Sequence, residues 1–354
     1  MTGHHLVLSS KWHDPASRRR EAVRAAHDQD EGTLADLLEH YLRLKSRSRG
    51  DVSPETVRKY VQGLRHFLSF CGPDRPGASP RLELTRLGAD DVDLWLAWLA
   101  DKGLKPNAIA LYLNAVRALY RALEWAGAAK ENPAAQVKPV RDPTPAHMKK
   151  PALSPALYRD LLALPLESHE DDLVRANRDT LLLALGGSAG LRSMEVCALD
   201  VDDLQLAMGQ LVVRQGKGRK RRSVPISRQL SGLCRHWLVS RKALEARGDI
   251  RPDEKALLVA LDNNSLGQRL TPHGARYIAK GYYQKLGLPP EMWGMHTLRR
   301  TAGTHLYRAT RDLHVVSDVL GHASVNTSAI YAKMDMEVRR EALEAMEALR
   351  DREE

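Results

Sequence analysis

A chain of 354 residues fits about two domains at roughly 150 residues each, and 43% hydrophobic with 28% charged residues exclude wholesale disorder. Lys and Arg number 54 against 44 Asp and Glu, a net charge of +10 that points to a polyanionic partner, most often nucleic acid. Three widely separated cysteines (Cys71, Cys197, Cys234) exclude a disulfide framework or a CxxC metal knuckle, and each reads as a buried small hydrophobe.

Residues 1–32 are polar, with a basic cluster at Arg18, Arg19 and Arg20. They read as a basic N-terminal extension with one short helix, either a solvated face or an arm that touches nucleic acid. Met1 to Arg20 has no apolar core of a secretory signal, and no apolar run approaches about 18 residues, so nothing reads as a bilayer span. The expected address is a bacterial-type cytoplasm or a nucleus. From Thr33, read as an N-cap, a helix carries Leu34, Leu37, Leu38, Tyr41 and Leu42. Ser53-Pro54 places an N-cap before an N1 proline, and Val57, Tyr60, Val61, Leu64, Phe67 and Leu68 follow on one face until Gly72-Pro73. Asp90 opens a third helix with Val92, Trp95, Leu96 and Leu99. A fourth runs from about Asn107 through Ile109, Tyr112, Leu113, Val116, Leu119, Tyr120 and Leu123 to Asn132-Pro133. Residues 33–132 are therefore predicted to form a small four-helix domain.

Pro133 to Pro155 holds six prolines together with Lys138, Arg141, Lys149 and Lys150, and no periodicity survives there. Residues 133–153 read as a semi-stiff basic linker. Beyond it, Ser154-Pro155 starts another helix, and Asp179 to Gly186 is a buried-looking apolar one. Val201 to Val213 reads as short strands and Arg222 to Ile226 as another, with Gly216-Lys217-Gly218 as the turn between. From Leu230 the chain is again mostly helical, and no internal repeat is present. The expected class is mainly α with a small antiparallel sheet.

Four segments of the second half carry chemistry-bearing residues. They are Gly190-Leu191-Arg192-Ser193-Met194-Glu195, Gly216-Lys217-Gly218, His296-Thr297-Leu298-Arg299, and Leu320-Gly321-His322 with Tyr331 nine residues on. Singly each is weak: a lone Arg is usually surface, a GKG usually a tight turn, a lone His usually structural. In order, they resemble the tyrosine recombinase (phage integrase) family, whose pattern is Arg, Lys, His-x-x-Arg, His, Tyr. GLRSMEV is similar to the family's G-L-R-x-x-E, HTLRRT to its H-x-L-R-x-T, and LGHASVNTSAIY to its L-G-H-x-s-x-x-T-x-x-Y. The resemblance covers about residues 33–340 and is nearest to Xer-type site-specific recombinases. Arg300 stands where many relatives have His, and residues 1–32 match nothing in the pattern.

The resemblance implies that residues 33–132 are a core-binding, DNA-binding domain and 154–335 an α+β catalytic domain, the two clamping DNA. It implies that Tyr331 is the nucleophile, with Arg192, Lys217, His296, Arg299 and His322 as the other catalytic residues, and that Glu195 orients Arg192 or a histidine. It implies a 3′-phosphotyrosyl link, a Holliday junction and no metal or cofactor. A phenol suits that chemistry, since its phosphate ester reverses readily; two guanidiniums with forked donors suit the phosphorane oxygens, and Lys217 suits protonation of the leaving 5′-oxygen. Arg214, Arg219, Lys220, Arg221 and Arg222, crowded on one hairpin, together with Lys149 and Lys150, read as DNA phosphate contacts or as a solvated charged edge.

Residues 336–354 read as an amphipathic helix (Val338, Ala342, Met346, Leu349). An isolated helix of that length does not order itself, so it is expected to dock somewhere, on its own chain or on another. The resemblance implies docking on a neighbouring subunit, in a homo- or hetero-tetramer on double-stranded DNA with an inverted-repeat core site. A DNA translocase is a conceivable activator. The leading role is resolution of replicon dimers. The alternatives are a mobile-element integrase, a type IB topoisomerase-like enzyme and a non-catalytic DNA-binding regulator.

Overall fold

Apolar side chains at helical spacing, interrupted by Pro and Gly, dictate a chain built almost wholly of short helices. The computed structural model describes residues 10–45, 52–73, 80–142, 151–214, 221–322, 324–328, 331, 340 and 343–344. The chain divides into two units, residues 1–143 and 144–354.

The first unit contains α1 (Pro15–Asp28), α2 (Glu31–Lys45), α3 (Pro54–Cys71), α4 (Ala89–Asp101) and α5 (Pro106–Ala126). The four expected helices are present, and a fifth, α1, packs with them. Its start is capped by the Asp14 carboxylate, which accepts from the Ser17 backbone N–H at 2.6 Å. Its inward face is Ala22, Ala25 and Ala26, all buried, and Trp12 just before it is fully buried. The Trp12 indole donates to Asp36 at 3.0 Å, and the Arg18 guanidinium lies 4.0 Å from the centroid of the Trp125 ring. Residues 10–28 are thus part of the folded unit rather than an extension from it. Alanine carries little hydrophobic signal in a sequence, so the basic residues of this segment stand out over its buried face. The cap of α2 also differs: Thr33 lies inside the first turn, and the Asp30 carboxylate receives its backbone N–H at 3.1 Å and its hydroxyl at 2.7 Å. The core is aromatic at its centre, where Phe67 meets Trp95 edge-on at 5.0 Å and Tyr120 at 6.2 Å.

The proline-rich segment is anchored at both ends. Ala134 and Val137 join the core of the first unit, and the Arg117 guanidinium donates to both of their carbonyls, at 3.0 and 2.5 Å. At the other end Leu153 joins the core of the second unit; its N–H donates to the Thr301 hydroxyl at 3.0 Å, and its carbonyl meets His305 Nε2 at 2.9 Å.

The second unit contains α6 (Pro155–Ser168), α7 (Leu173–Gly187), α8 (Ser193–Ala198), β1 (Leu204–Gln205), β2 (Gln210–Val213), β3 (Arg222–Pro225), α9 (Arg228–Ala246), α10 (Pro272–Lys285), α11 (Met295–Thr310) and α12 (Leu313–Leu320). Helix α7 is apolar all round over Leu181–Leu185, so it is buried, packing against α6, α9 and α11. The three strands form an antiparallel sheet in the order β1-β2-β3, with Leu211 opposite Val224 and Val213 opposite Arg222. No helix among the described residues is long and apolar enough to cross a membrane.

Candidate functional site

The site is built where the end of α7, the strand β3, the helix α11 and the end of α12 meet. After α7 the chain turns through Gly190 and Leu191 into Arg192, which caps α8. Glu195 occupies the third position of α8, where a carboxylate is favoured by the unpaired N–H groups of a helix start. Its Oε2 accepts the Arg192 backbone N–H at 2.9 Å, and its Oε1 accepts from Arg192 Nη1 at 2.9 Å. One carboxylate therefore holds both ends of the same arginine.

Strand β3 supplies a second arginine to Glu195. Successive strand residues face opposite sides of a sheet, so Arg222 shares the side of Val224, which is fully buried. Arg222 meets the carboxylate fork to fork, Nη1 to Oε1 and Nη2 to Oε2, both at 2.9 Å. Arg299, on α11, is buried and donates to two backbone carbonyls, Gly190 at 2.6 Å and Leu320 at 2.7 Å. Those carbonyls lie just before the Arg192 and His322 segments, so Arg299 fastens both to α11. Its Nη1 also lies 3.9 Å from Glu195 Oε2.

Helix α12 ends at Gly321, whose φ of +64° reverses the chain toward His322. His322 Nδ1 lies 2.7 Å from the Ser328 hydroxyl. The Tyr331 ring stacks on the His322 ring, centroids 6.0 Å apart and planes within 9°. Tyr331 is only 6% exposed and packs with Ala302, Val316 and Leu320. It also fills the space left by Gly303 on α11: a Cβ there would lie 2.5–2.8 Å from three of its ring carbons.

The electrostatics follow from this packing. Burial alone would raise the Glu195 carboxyl, but hydrogen bonds from Arg222 and the Arg192 backbone, with their charges, hold it down at about 2. Burial, helped by the nearby Arg192, lowers Arg299 to about 10, so it stays a cation at neutral pH. Burial, then Arg299, Arg192 and Arg222, push His322 down to about 4, so its imidazole is neutral. Burial raises the Tyr331 phenol, and Arg299, Arg300 and Arg192 oppose that rise. The site thus offers fixed cations, a neutral imidazole and a protonated phenol around a single carboxylate. That set can bind the non-bridging oxygens of a phosphodiester and present an oxygen nucleophile to it.

Of the residues singled out from the sequence, the structure brings together Arg192, Glu195, Arg299, His322 and Tyr331. His296 is exposed in the first turn of α11, on the helix face it shares with Arg299 and Arg300. Arg221 is exposed beside β3. Arg214, at the end of β2, is ion-paired with Asp200 and Asp203, the latter at 2.6 Å, so it ties down the sheet. Arg222 stands inside the cluster rather than on a solvated edge: its side chain is 15% exposed and its fork is occupied by Glu195. The run of basic residues before it hid the alternation with Val224 that marks it as inward. Lys217, Arg219, Lys220, Lys149, Lys150 and the C-terminal helix residues Val338, Ala342, Met346 and Leu349 lie outside the described residues. Gly303, against the Tyr331 ring, has no signal in the spacing, because that contact is tertiary.

Residues 166–337 match the Phage integrase family, and residues 38–127 match the Phage integrase, N-terminal SAM-like domain. The chain is 29% identical over 299 residues to tyrosine recombinase XerC of Thermodesulfovibrio yellowstonii, covering 84% of this chain and 92% of that protein. It is 30% identical over 311 residues to tyrosine recombinase XerA of Thermococcus kodakarensis, covering 88% of this chain and 94% of that one. Among solved structures, XerH site-specific recombinase bound to palindromic difH substrate is similar with a TM-score of 0.66 at 19% identity, over 93% of this chain and 95% of that one. The Tn1549 transposon integrase in complex with a circular intermediate DNA is similar with a TM-score of 0.62 at 18% identity, over 88% and 99%. At those identities the two structures speak for the fold.

Proposed function

The chain belongs to the phage integrase family of tyrosine recombinases, enzymes that cleave and rejoin DNA, and from that premise we propose that it is a site-specific recombinase of the Xer type that resolves replicon dimers in the cytoplasm. The observation that carries the reading is the convergence of Arg192, held by Glu195, with Arg299, His322 and Tyr331 from separate segments of the chain. Its Xer character rests on relatives of that name at about 30% identity over most of the chain.

In the proposed reaction the Tyr331 oxygen attacks the scissile phosphorus, the bond from phosphorus to the 5′-oxygen breaks, and a 3′-phosphotyrosyl link and a free 5′-hydroxyl result. The phenolic proton passes to the neutral imidazole of His322, or to His296. Lys217 supplies the proton that the leaving 5′-oxygen takes up. Arg192 and Arg299 meet the charge that grows on the non-bridging oxygens; one such preorganised donor contributes on the order of 10²–10³ in rate. A second transfer to a partner strand, through a Holliday junction, conserves the bond energy. Residues 33–132 serve as the DNA-binding domain and 154–335 as the catalytic domain, with four protomers on a duplex with an inverted-repeat core site, coupled by residues 336–354.

The test is direct. Wild type and Tyr331→Phe are incubated with a fragmented genomic library, and denaturant-resistant protein–DNA adducts are purified and their ends sequenced. Adducts from wild type alone, clustered at an inverted-repeat site, are the expected result. Scattered Tyr331-dependent adducts would replace the site-specific reading with a topoisomerase-like one. Adducts that persist in Tyr331→Phe would remove Tyr331 as the nucleophile.

A further inference from the structure

Arg222 is a charged group of the cluster to which the reaction above gives no task. Read as a surface phosphate contact, it would offer its fork to solvent. Instead both Nη atoms meet Glu195 at 2.9 Å, and the side chain is 15% exposed. Its Nε is buried with no hydrogen-bond partner among the described residues. The reason is visible in the packing. Gly321 lies against Arg222 so closely that a Cβ there would sit 2.6 Å from both its Cδ and Nε and 2.8 Å from its Cζ. A buried donor left without a partner costs free energy, so the arrangement keeps the guanidinium against the Gly321 backbone at a local loss. Gly321 immediately precedes His322, and Glu195 immediately governs Arg192. One guanidinium therefore touches the supports of two residues that the proposed reaction uses.

We infer that Arg222 is a positioning residue for DNA cleavage: it fixes the Glu195 carboxylate that holds Arg192, and it fixes the backbone that leads into His322. This rests on the recombinase reading above. The physical reason is the number of constraints on Glu195. With Arg222 in place, each carboxylate oxygen receives two donors at 2.9 Å, one from Arg192 and one from Arg222. Without it, one donor per oxygen remains, the Arg192 backbone N–H and its Nη1, and nothing outside residue 192 forks the carboxylate to hold it and the Arg192 guanidinium in one orientation. Arg192 is a quarter exposed and has no other ion pair among the described residues. A displacement of about 1 Å at a reacting group is enough for about 10²-fold in rate.

The measurement is single-turnover adduct formation on a nicked duplex whose sequence is recovered from the wild-type adducts, with DNA affinity measured in parallel over a salt series. The variants are Arg222→Gln, Arg222→Lys, Glu195→Gln and the double variant Arg222→Gln/Glu195→Gln. The expected result is a fall in rate at saturating DNA of roughly 10–100-fold for Arg222→Gln, with affinity and its salt slope unchanged, and part of the rate recovered in Arg222→Lys. Glu195→Gln is expected to fall by a similar factor, and the double variant to be no slower than the slower single one, because both act through one carboxylate. Weaker binding with a salt slope reduced by about 1 and an unchanged saturated rate would make Arg222 a phosphate contact and overturn the inference. Losses that multiply in the double variant would overturn it too. So would a reduced reaction amplitude at wild-type rate, the mark of a residue needed only for folding. Wild-type protein that forms no adduct would instead overturn the recombinase reading, and this role with it.

Discussion

The fit between Gly303 and Tyr331 is tight enough to predict from distances. Gly303→Ala puts a carbon 2.5 Å from the Tyr331 Cζ and 2.6 and 2.8 Å from its two Cε atoms. Ordinary carbon contacts begin near 3.5 Å, so one partner must retreat by about 1 Å. Helix α11 is the harder of the two to move, because Arg299 ties it to the carbonyls of Gly190 and Leu320. The ring is therefore expected to shift, against Ala302, Val316, Leu320 and the stacked His322. Overpacking of this kind costs about 1–3 kcal/mol locally, and a nucleophile misplaced by about 1 Å loses about 10²-fold, near 2.7 kcal/mol of barrier. The assay is single-turnover adduct formation at saturating DNA, with affinity as the control: the rate falls about 100-fold while binding holds. Gly303→Ser is expected to match it. A Gly303→Ala protein that cleaves at the wild-type rate, or faster, would refute the reasoning, because the pose of Tyr331 against Gly303 would then not be the one that reacts.

Trp12→Ala should destabilise the first unit by about 3–5 kcal/mol in urea unfolding, since the ring is fully buried and its N–H is bonded to Asp36; a loose N-terminal extension would leave the midpoint unmoved. The imidazole of His322 has a folded-state pKa of about 4, below its ordinary value of 6.5. The unfolded chain therefore binds the proton more readily, and stability is lost as pH falls from 6.5 toward 4. His322→Gln should flatten the fall of the melting temperature across that window, and parallel curves for the two proteins would count against the burial of this ring. Tyr331→Phe should abolish adducts while DNA binding remains, as measured by mobility shift beside the adduct assay.

The parts of the fold that announce themselves in the sequence are those where one residue type repeats at one period. Leu64, Phe67 and Leu68, or Tyr112, Leu113 and Val116, mark helices because each apolar side chain must face the same core. Ala22, Ala25 and Ala26 follow the same spacing but bury too little surface to stand out beside Arg18, Arg19 and Arg20, so α1 does not announce itself as core. Within the candidate site, Arg192, His296, Arg299, His322 and Tyr331 are legible only as an ordered set of motifs; no one of them is distinctive by itself. Arg222 was masked for a different reason. A charge run looks solvated whatever its neighbours, and only the pairing of β3 with β2 reveals which member of the run turns inward. Gly303 could not be found at all, because what demands a glycine is a ring much later in the chain.

The same geometry bears on how the site is ready before DNA arrives. A guanidinium has five N–H donors, and Arg299 commits two of them to the carbonyls of Gly190 and Leu320. The distance between the Arg192 and His322 segments is thereby set by backbone groups, which do not relax as a side chain would. Burial first, and then the charges of Arg299, Arg192 and Arg222, keep His322 neutral. A phosphodiester entering the site meets Arg192 and Arg299 already in place. Preorganised charge of this kind does its work without reorganising during the reaction. It follows that Arg299→Lys should be a severe change despite the retained charge: an ammonium cannot span both carbonyls with the fixed fork of a guanidinium, and the two segments would lose their common anchor.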